Sequence, residues 1–483
     1  MTDTFDLNFP ILKERFPCLL SLVENKIPDD FEVMTARSGA ITGRYKSTLL
    51  HSLFEPIKEG EQFARSAGIN SGDYILLYGL GLGYHLKPVL DTIGSSGKLL
   101  VIELNREIMS AAFSLIKFTE ILSYPNFGIV SGNDDKEVSE NLNHAFSKEW
   151  NKHSHENPKT LIHQSSFKCI PVNFKKIKTT FEMQLIEKQT KITWSEHEKN
   201  NYMINQDYVK KGNRIKKLLG KYKGKPAFLI SAGPSLNRTL PFLSKLSKMF
   251  YLVAVDTSLP ILLKSQIKPH FFVSVDPQEI SFNHISNYLD ESIPVILTPT
   301  ANPKTVLHYS GSKYFVAQRT SSIDEIEIEE LIREKGESKG GGSVSCITLD
   351  IMVQMGFDPI IFIGQDCSFP NNRLFAENSR EDEAMINLSH HHHTLETMSC
   401  EKIREKKEVT IENKFGAKLP SHQHLHLYLR YLEQIVKNYK HVTFYNWLSQ
   451  GAKMEGVIDI ESINEIFPDR KLRAEARCEE CAR

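Results

Sequence analysis

Excess charge of one sign is absent from the 483-residue chain: 59 Lys and Arg balance 59 Asp and Glu, for a formal net charge of zero. A protein that binds a phosphate backbone in bulk carries a basic surplus, so bulk nucleic-acid binding is not expected. Cysteine is scarce and odd in number, with seven scattered residues. That excludes a disulfide scaffold and fits a reducing, cytoplasmic setting. Long apolar runs are lacking too: stretches such as Pro359–Gly364 are of strand length, well short of the ~18–20 residues that cross a bilayer. The first residues, MTDTFDLNFPILKERFPCLL, carry early acids and no apolar core, so neither a signal peptide nor a membrane anchor is expected. No repeat of 20–50 residues stands out. With 40% hydrophobic and 24% charged residues, the composition is that of an ordinary multi-domain globular protein.

What is present is an alternation of apolar runs and glycine-rich turns. Tyr74–Tyr78 meets Gly79-Leu80-Gly81-Leu82-Gly83, a helical stretch spans Tyr84–Thr92, and a second run ends in Glu103. This is the pattern of a βαβ unit with a right-handed crossover. Residues 141–222 are polar and helical in character and are expected to form a connector. A second α/β series follows: Ala227–Ile230, Tyr251–Val255, Phe271–Val275, Val295–Leu297 and Ile360–Ile363. A helix is expected over Leu425–Lys440, then a strand at Thr443–Trp447. The expected fold class is multi-domain α/β: a Rossmann-like N-terminal unit (1–140), the helical connector, a central doubly wound parallel sheet (223–450) and a helical C-terminal region with a tail (451–483). Ligands in such sheets sit at the carboxyl ends of strands, and every glycine-rich or acidic motif falls at such an end.

The first such motif, Gly79, Gly81 and Gly83 with Glu103, is spaced G-x-G-x-G, closer to methyltransferase style than to a dinucleotide fingerprint. Glu103 can accept ribose hydroxyls; a tight strand–helix turn without a ligand explains the same residues. Gly233-Pro234-Ser235 follows a strand and opens a helix, where backbone amides suit a phosphate; a plain helix start is the other reading. Gly342, Ser343 and Ser345 offer a second amide nest before another helix, or simply a flexible loop. Asp256, Asp276 and Asp366 each follow a strand and can hold a ribose, a divalent metal or an acceptor hydroxyl, or can cap helices. His390–His393 with Glu396 invites a metal reading but suits a surface loop. His422, His424 and His426 share one side if the segment is extended, and one of them can serve as a general base. Cys478 and Cys481 make a lone C-x-x-C pair, too little for a zinc site.

Taken together, FLISAGPSL, YLVAVDTSLPILLKSQIKPHFFVSVDPQ and GGGSVSCITLDIMVQMGFDPIIFIGQDCSF resemble the Maf family of motility-associated flagellin glycosyltransferases. The central domain resembles that of MptE-like 6-hydroxymethylpterin diphosphokinases and is similar in pattern to bacterial sialyltransferases. The resemblance spans roughly residues 200–460. It implies transfer of a nonulosonic acid, of pseudaminic or legionaminic type, from its CMP-activated form to Ser or Thr of flagellin, with no cofactor beyond that donor and no stated metal requirement. Carried over by motif, Gly233, Pro234 and Ser235 meet the CMP phosphate or ribose, Thr257 contacts the nucleotide, Ser343 and Ser345 contact the donor, and Gln365 and Asp366 sit at the nucleotide or acceptor edge. Asp366 and His422 are the catalytic candidates. Two departures stand out. Cys367-Ser368-Phe369 lacks the tyrosine that sialyltransferases set on the leaving phosphate, and His422 lies about two positions from their catalytic histidine. Three alternatives stay open: a pterin diphosphokinase using ATP and Mg²⁺, a flagellin-binding protein without catalysis, and a methyltransferase built on GLGLG.

Overall fold

The computed structural model describes residues 4–149, 158–319, 321–406 and 408–467. The chain divides into two compact units, residues 1–186 and 187–483. The division falls within the long helix Lys175–Lys211.

The first unit is built on a four-stranded parallel sheet of β1 (Tyr74–Tyr78), β2 (Lys98–Ile102), β3 (Phe127–Val130) and β4 (Lys159–Ile162), in the order β3-β2-β1-β4. The stretch expected as a connector from residue 141 therefore contributes a strand, β4, which pairs with the central β1. A four-residue run, Lys-Thr-Leu-Ile, is too short to announce a strand amid polar helices. Side chains alternate between two cores. Ile75, Leu77, Leu99 and Val101 pack on one face with Phe113 and Phe118; Tyr78, Leu100 and Ile102 pack on the other with Phe167 and Phe181. Helix α1 (Leu86–Ile93) follows β1, two residues later than expected, and buries Leu86, Val89, Leu90 and Ile93 at helical spacing. A small antiparallel sheet of Phe31–Thr35, Ile41–Tyr45 and Thr48–Leu49 precedes it.

The second unit holds a nine-stranded sheet, parallel throughout. Its strands are β5 (Asn213–Arg214), β6 (Lys225–Ile230), β7 (Tyr251–Val255), β8 (Phe271–Ser274), β9 (Val295–Leu297), β10 (Lys313–Phe315), β11 (Phe357–Ile363), β12 (Phe444–Trp447) and β13 (Ile458–Ile460). Their order is β13-β12-β11-β6-β7-β8-β9-β10-β5. The central strands read as unbroken apolar runs because helices cover both faces. Phe228, Ile230, Leu252, Phe272 and Trp447 face one core; Ala227, Leu229, Val253, Val273 and Phe362 face the other. Helix α2 (Leu236–Leu246) follows β6, and α3 (Val344–Met355) precedes β11. Ser343 caps α3 through its hydroxyl, and Gly356, at φ 95°, ends it in the left-handed region that glycine tolerates.

The helical C-terminal region comprises Arg380–Leu388, Leu395–Glu405 and α4 (Gln423–Asn438). The segment expected as a helical tail begins differently: Ile458–Ile460 forms β13 and pairs with β12. Residues 468–483, with Cys478 and Cys481, lie outside the described residues. No helix among the described residues is long and apolar enough to cross a membrane.

Candidate functional site

Successive strands run from β6 through β7, β8 and β9 to β10 on one side, while β11, β12 and β13 add on the other side of β6. The winding reverses between β6 and β11, and a crevice at such a reversal is where open α/β sheets take ligands. The Gly233 turn leaves the end of β6 and Gly364-Gln365-Asp366 leaves the end of β11, so these two motifs meet at the reversal.

Their meeting is a clasp. Ser235 donates its backbone N–H to Asp366 Oδ2 at 2.8 Å, and Gly233 N donates to Gly364 O at 2.9 Å. A Cβ on Gly233 would stand 2.4 Å from Asp366 Oδ2 and 2.5 Å from Gly364 O, so only glycine fits. Asp366 and Ser235 are 2% and 1% exposed. Burial pushes the Asp366 carboxyl up to about 6, opposed by hydrogen bonds from Ser235, Gly451 and Ser449. Two expectations change. The amide of Ser235, expected to meet a phosphate, is already taken by a carboxylate, and Asp366, expected to be catalytic, is folded inward as that amide's acceptor.

Beside the clasp lies a smaller polar cluster. Ser231 Oγ donates to Gln365 Oε1 at 2.7 Å and lies 3.0 Å from Ser345 Oγ. This joins the end of β6, the end of β11 and the first turn of α3. Gly342, at φ 83°, lies where a Cβ would strike the Tyr431 ring at 2.5 Å. Ser343 is occupied as the cap, accepting from Cys346 N at 3.3 Å. Ser345, Gly342, Gly233 and Pro234 keep partial or full exposure, so the crevice can be reached along the α3 N-terminus.

The two remaining strand-end acids differ from each other. Asp256 is 2% exposed and accepts from Ser281 Oγ (2.6 Å), Thr257 N (2.8 Å) and Ser274 Oγ (3.0 Å). Burial raises its pKa, against His284 and these donors. Asp276 is half-buried and accepts from Gln278 N at 2.8 Å. Burial, with the Asp256 charge behind it, raises its pKa too. Thr257 stays partly exposed beside Asp256.

The three histidines do not share one side, because the segment is not extended. His422 ends the strand Lys418–His422, whereas His424 and His426 lie in α4. His422 is 4% exposed; its Nε2 donates to Ile403 O at 2.8 Å, and its ring meets Phe369 edge-on. It is thus a buried strut, contrary to the expectation of a base. His424 is half-buried, and burial holds its pKa down at about 4, so it is neutral near pH 7. Its ring lies 5.7 Å from Tyr428. The Tyr428 phenol is pushed up to about 12 by burial and by Asp276, Cys346 and Cys367, which sit at three different strand and helix ends around the crevice. Sequence reasoning missed Tyr428 and Ser231. Tyr428 is four residues beyond His424 on one helix face, and Ser231 stands two residues before Gly233; both signals were readable. The His390–His393 stretch is an exposed turn in which His393 contacts Glu401.

In the first unit the glycine-rich turn has closed on itself. Glu103, fully buried, accepts Leu80 N at 2.9 Å and Leu104 N and Asn105 N at 3.0 Å. Its carboxylate is committed to the turn instead of facing a ribose. A Cβ on Gly79 would meet Ser166 and His163, on Gly81 His51 and His163, and on Gly83 Phe118, all at 2.3–3.0 Å. Protein side chains pack closely against all three glycines.

Residues 200–372 match the family model described as 6-hydroxymethylpterin diphosphokinase MptE-like. The matched stretch lies within the second unit. Among solved structures, the chain is similar to a Maf glycosyltransferase from Magnetospirillum magneticum AMB-1, at 13% identity and a TM-score of 0.47, over 95% of this chain and 74% of that one. Shorter stretches are similar to a SAM dependent methyltransferase from Aquifex aeolicus (21% identity, TM-score 0.14, 16% of this chain and 39% of that one). A protein-L-isoaspartate O-methyltransferase is similar at 17% identity and a TM-score of 0.15, over 27% of this chain and 42% of that one. No curated protein matches.

Proposed function

We propose that the second unit is a nucleotide-dependent glycosyltransferase, taking a nonulosonic acid of pseudaminic or legionaminic type from its CMP-activated form to Ser or Thr of flagellin, in the cytoplasm. The observation that carries the reading is the cluster of Ser231, Ser345 and Gln365 at the reversal point. It sets hydroxyl and amide donors beside the N-terminus of α3, where a leaving phosphate gains from both the donors and the helix dipole. The motifs around it are those that resemble the Maf and sialyltransferase loops.

In this reading Gly233 and Pro234 form the wall of the nucleotide site, and Thr257 and Asp276 line its far side. Ser345, reached along the exposed Gly342 turn, contacts the phosphate. His424, neutral near pH 7 and next to Tyr428, replaces His422 as the group that takes the acceptor hydroxyl's proton. Asp366 acts by holding the crevice together.

A diphosphokinase reading draws on the MptE-like match at 200–372. It requires Mg²⁺ with ATP, and Asp256 spends its oxygens on two serines and an amide, which leaves Asp276 as the freer carboxylate. Calorimetric titration with CMP, and separately with ATP plus Mg²⁺, tests the choice. CMP binding that weakens about tenfold in Ser345→Ala, as loss of one or two hydrogen bonds would give, supports the glycosyltransferase. Binding of ATP–Mg²⁺ with no response to CMP replaces it by the kinase. Silence to both leaves a flagellin-binding protein.

A further inference from the structure

The side chains that fill the glycine-rich turn of the first unit are themselves unusual. His51 follows the strand Thr48–Leu49, His85 precedes α1, and His163 follows β4. They are separated by 34 and 78 residues in the chain, yet one ring nitrogen of each lies within 4.8 Å of those of the other two. All three are buried, at 3%, 1% and 7% exposure. The rings of His51 and His85 stack on His163 at 4.7 and 4.6 Å, and Phe63 and Tyr84 wall them in.

Each ring has a nitrogen facing an outer polar group. His51 Nδ1 lies 3.4 Å from Glu59 Oε2, His85 Nε2 donates to Gly79 O at 3.0 Å, and His163 Nδ1 lies 2.8 Å from Ser166 Oγ. This is how metal-bound imidazoles are held, the outer partner fixing the tautomer and turning the second nitrogen inward as a ligand. Within the cluster, His85 Nδ1 is buried with no hydrogen-bond partner. A buried acceptor left so is costly in a protein interior. His51 Nε2 accepts from Leu82 N at 3.0 Å, a bond that a cation would displace.

We propose that His51, His85 and His163 form a binding site for one divalent transition ion of the zinc class, with water in the fourth position. Three imidazoles and an open or carboxylate position suit zinc and cobalt and do not suit magnesium or calcium. Drawing nitrogens from within 4.8 Å to the ~3.3 Å edge of a tetrahedron with ~2.0–2.1 Å bonds shortens their separations by about 1.5 Å at most, with the stacked rings turning so that their lone pairs converge. The ion would pin the 51 loop, the glycine-rich turn and the end of β4 together.

The exposed His390–His393 turn would bind such ions on its own account, so the test uses the full chain with those four residues changed to alanine. The protein is stripped with a chelator and titrated with Co²⁺ and with Zn²⁺. The expected results are one equivalent bound, tetrahedral d–d absorption from Co²⁺, and a higher melting temperature with Zn²⁺. In His85→Ala the affinity should fall by at least about 100-fold, and in Ser166→Ala, which frees the His163 ring, by about 10–100-fold. Should His85→Ala fail to fold, metal content and chelator response of the otherwise unchanged protein still decide. No bound equivalent, no cobalt spectrum and no chelator effect overturn the proposal and leave a stack of neutral imidazoles. Undiminished affinity in a folded His85→Ala overturns it equally.

Discussion

Asp366 separates a structural clasp from a catalytic carboxylate, and the pH dependence of its removal tells the two apart. In Asp366→Ala the Ser235 N–H, 1% exposed, loses its acceptor, and an unpaired buried donor costs ~1–3 kcal/mol. Against this stands the cost of ionising a carboxyl buried at 2% exposure. Its pKa rises from 3.8 to about 6 on folding, and each pKa unit is worth about 1.4 kcal/mol. For a raised carboxyl the stabilising contribution is fully present below the unfolded pKa and is lost as pH rises through the folded one. Near about pH 8 the wild type therefore bears an ionisation penalty of about 3 kcal/mol, which the variant escapes, and the two terms nearly cancel. Near about pH 5 the folded carboxyl is mostly protonated and keeps its hydrogen bond at a lower penalty. The variant should then be less stable than wild type by about 1–2 kcal/mol more than at about pH 8. Urea unfolding at both pH values measures this, with the fully buried Trp447 as a fluorescent reporter in the same unit. A destabilisation that is constant with pH, or larger at the alkaline end, refutes the reasoning, since it would mean a carboxylate stabilised in its ionised form.

Three further outcomes are expected. Gly81→Ala places a Cβ 2.7 Å from His51 Nε2 at φ 51° and should destabilise the first unit by ~1–3 kcal/mol, read as a lowered melting transition in calorimetry. Glu103→Gln removes a group whose pKa is raised from 4.5 to about 7 by burial. By the same sign, wild type should gain about 1 kcal/mol over the variant as pH falls from about 8 to about 6, and a gain on the alkaline side would contradict the inward-facing carboxyl. His424→Gln should lower CMP-sugar-dependent transfer by about 100-fold or more, whereas His422→Gln should lower the melting temperature and leave transfer standing; the reverse pattern would return the base to His422.

The alternation of apolar runs made both parallel sheets legible, because strands covered on both faces need no polar residues and stand out against the helices. Strand β4 did not stand out: it is an edge strand whose first residues, Lys159 and Thr160, are exposed and half-buried, and the pairing with β1 that makes it a strand is 84 residues away in the chain. The strand-end acids were correctly placed at carboxyl ends, yet their orientation was not readable. Glu103 and Asp366 turn inward because each stands next to a glycine turn whose amides need acceptors. A glycine-rich turn with an acid beyond it thus has two physical solutions, a ligand's phosphate or the protein's own carboxylate, and one sequence pattern serves both. The histidines repeat the lesson in the other direction. His390–His393, adjacent in sequence, spread over an exposed turn, while His51, His85 and His163, remote in sequence, converge because the loops after parallel β1 and β4 meet the loop after the antiparallel strand Thr48–Leu49. A candidate metal site in such a fold is thus written in the topology, and the place to look for it is the loops that strands bring together.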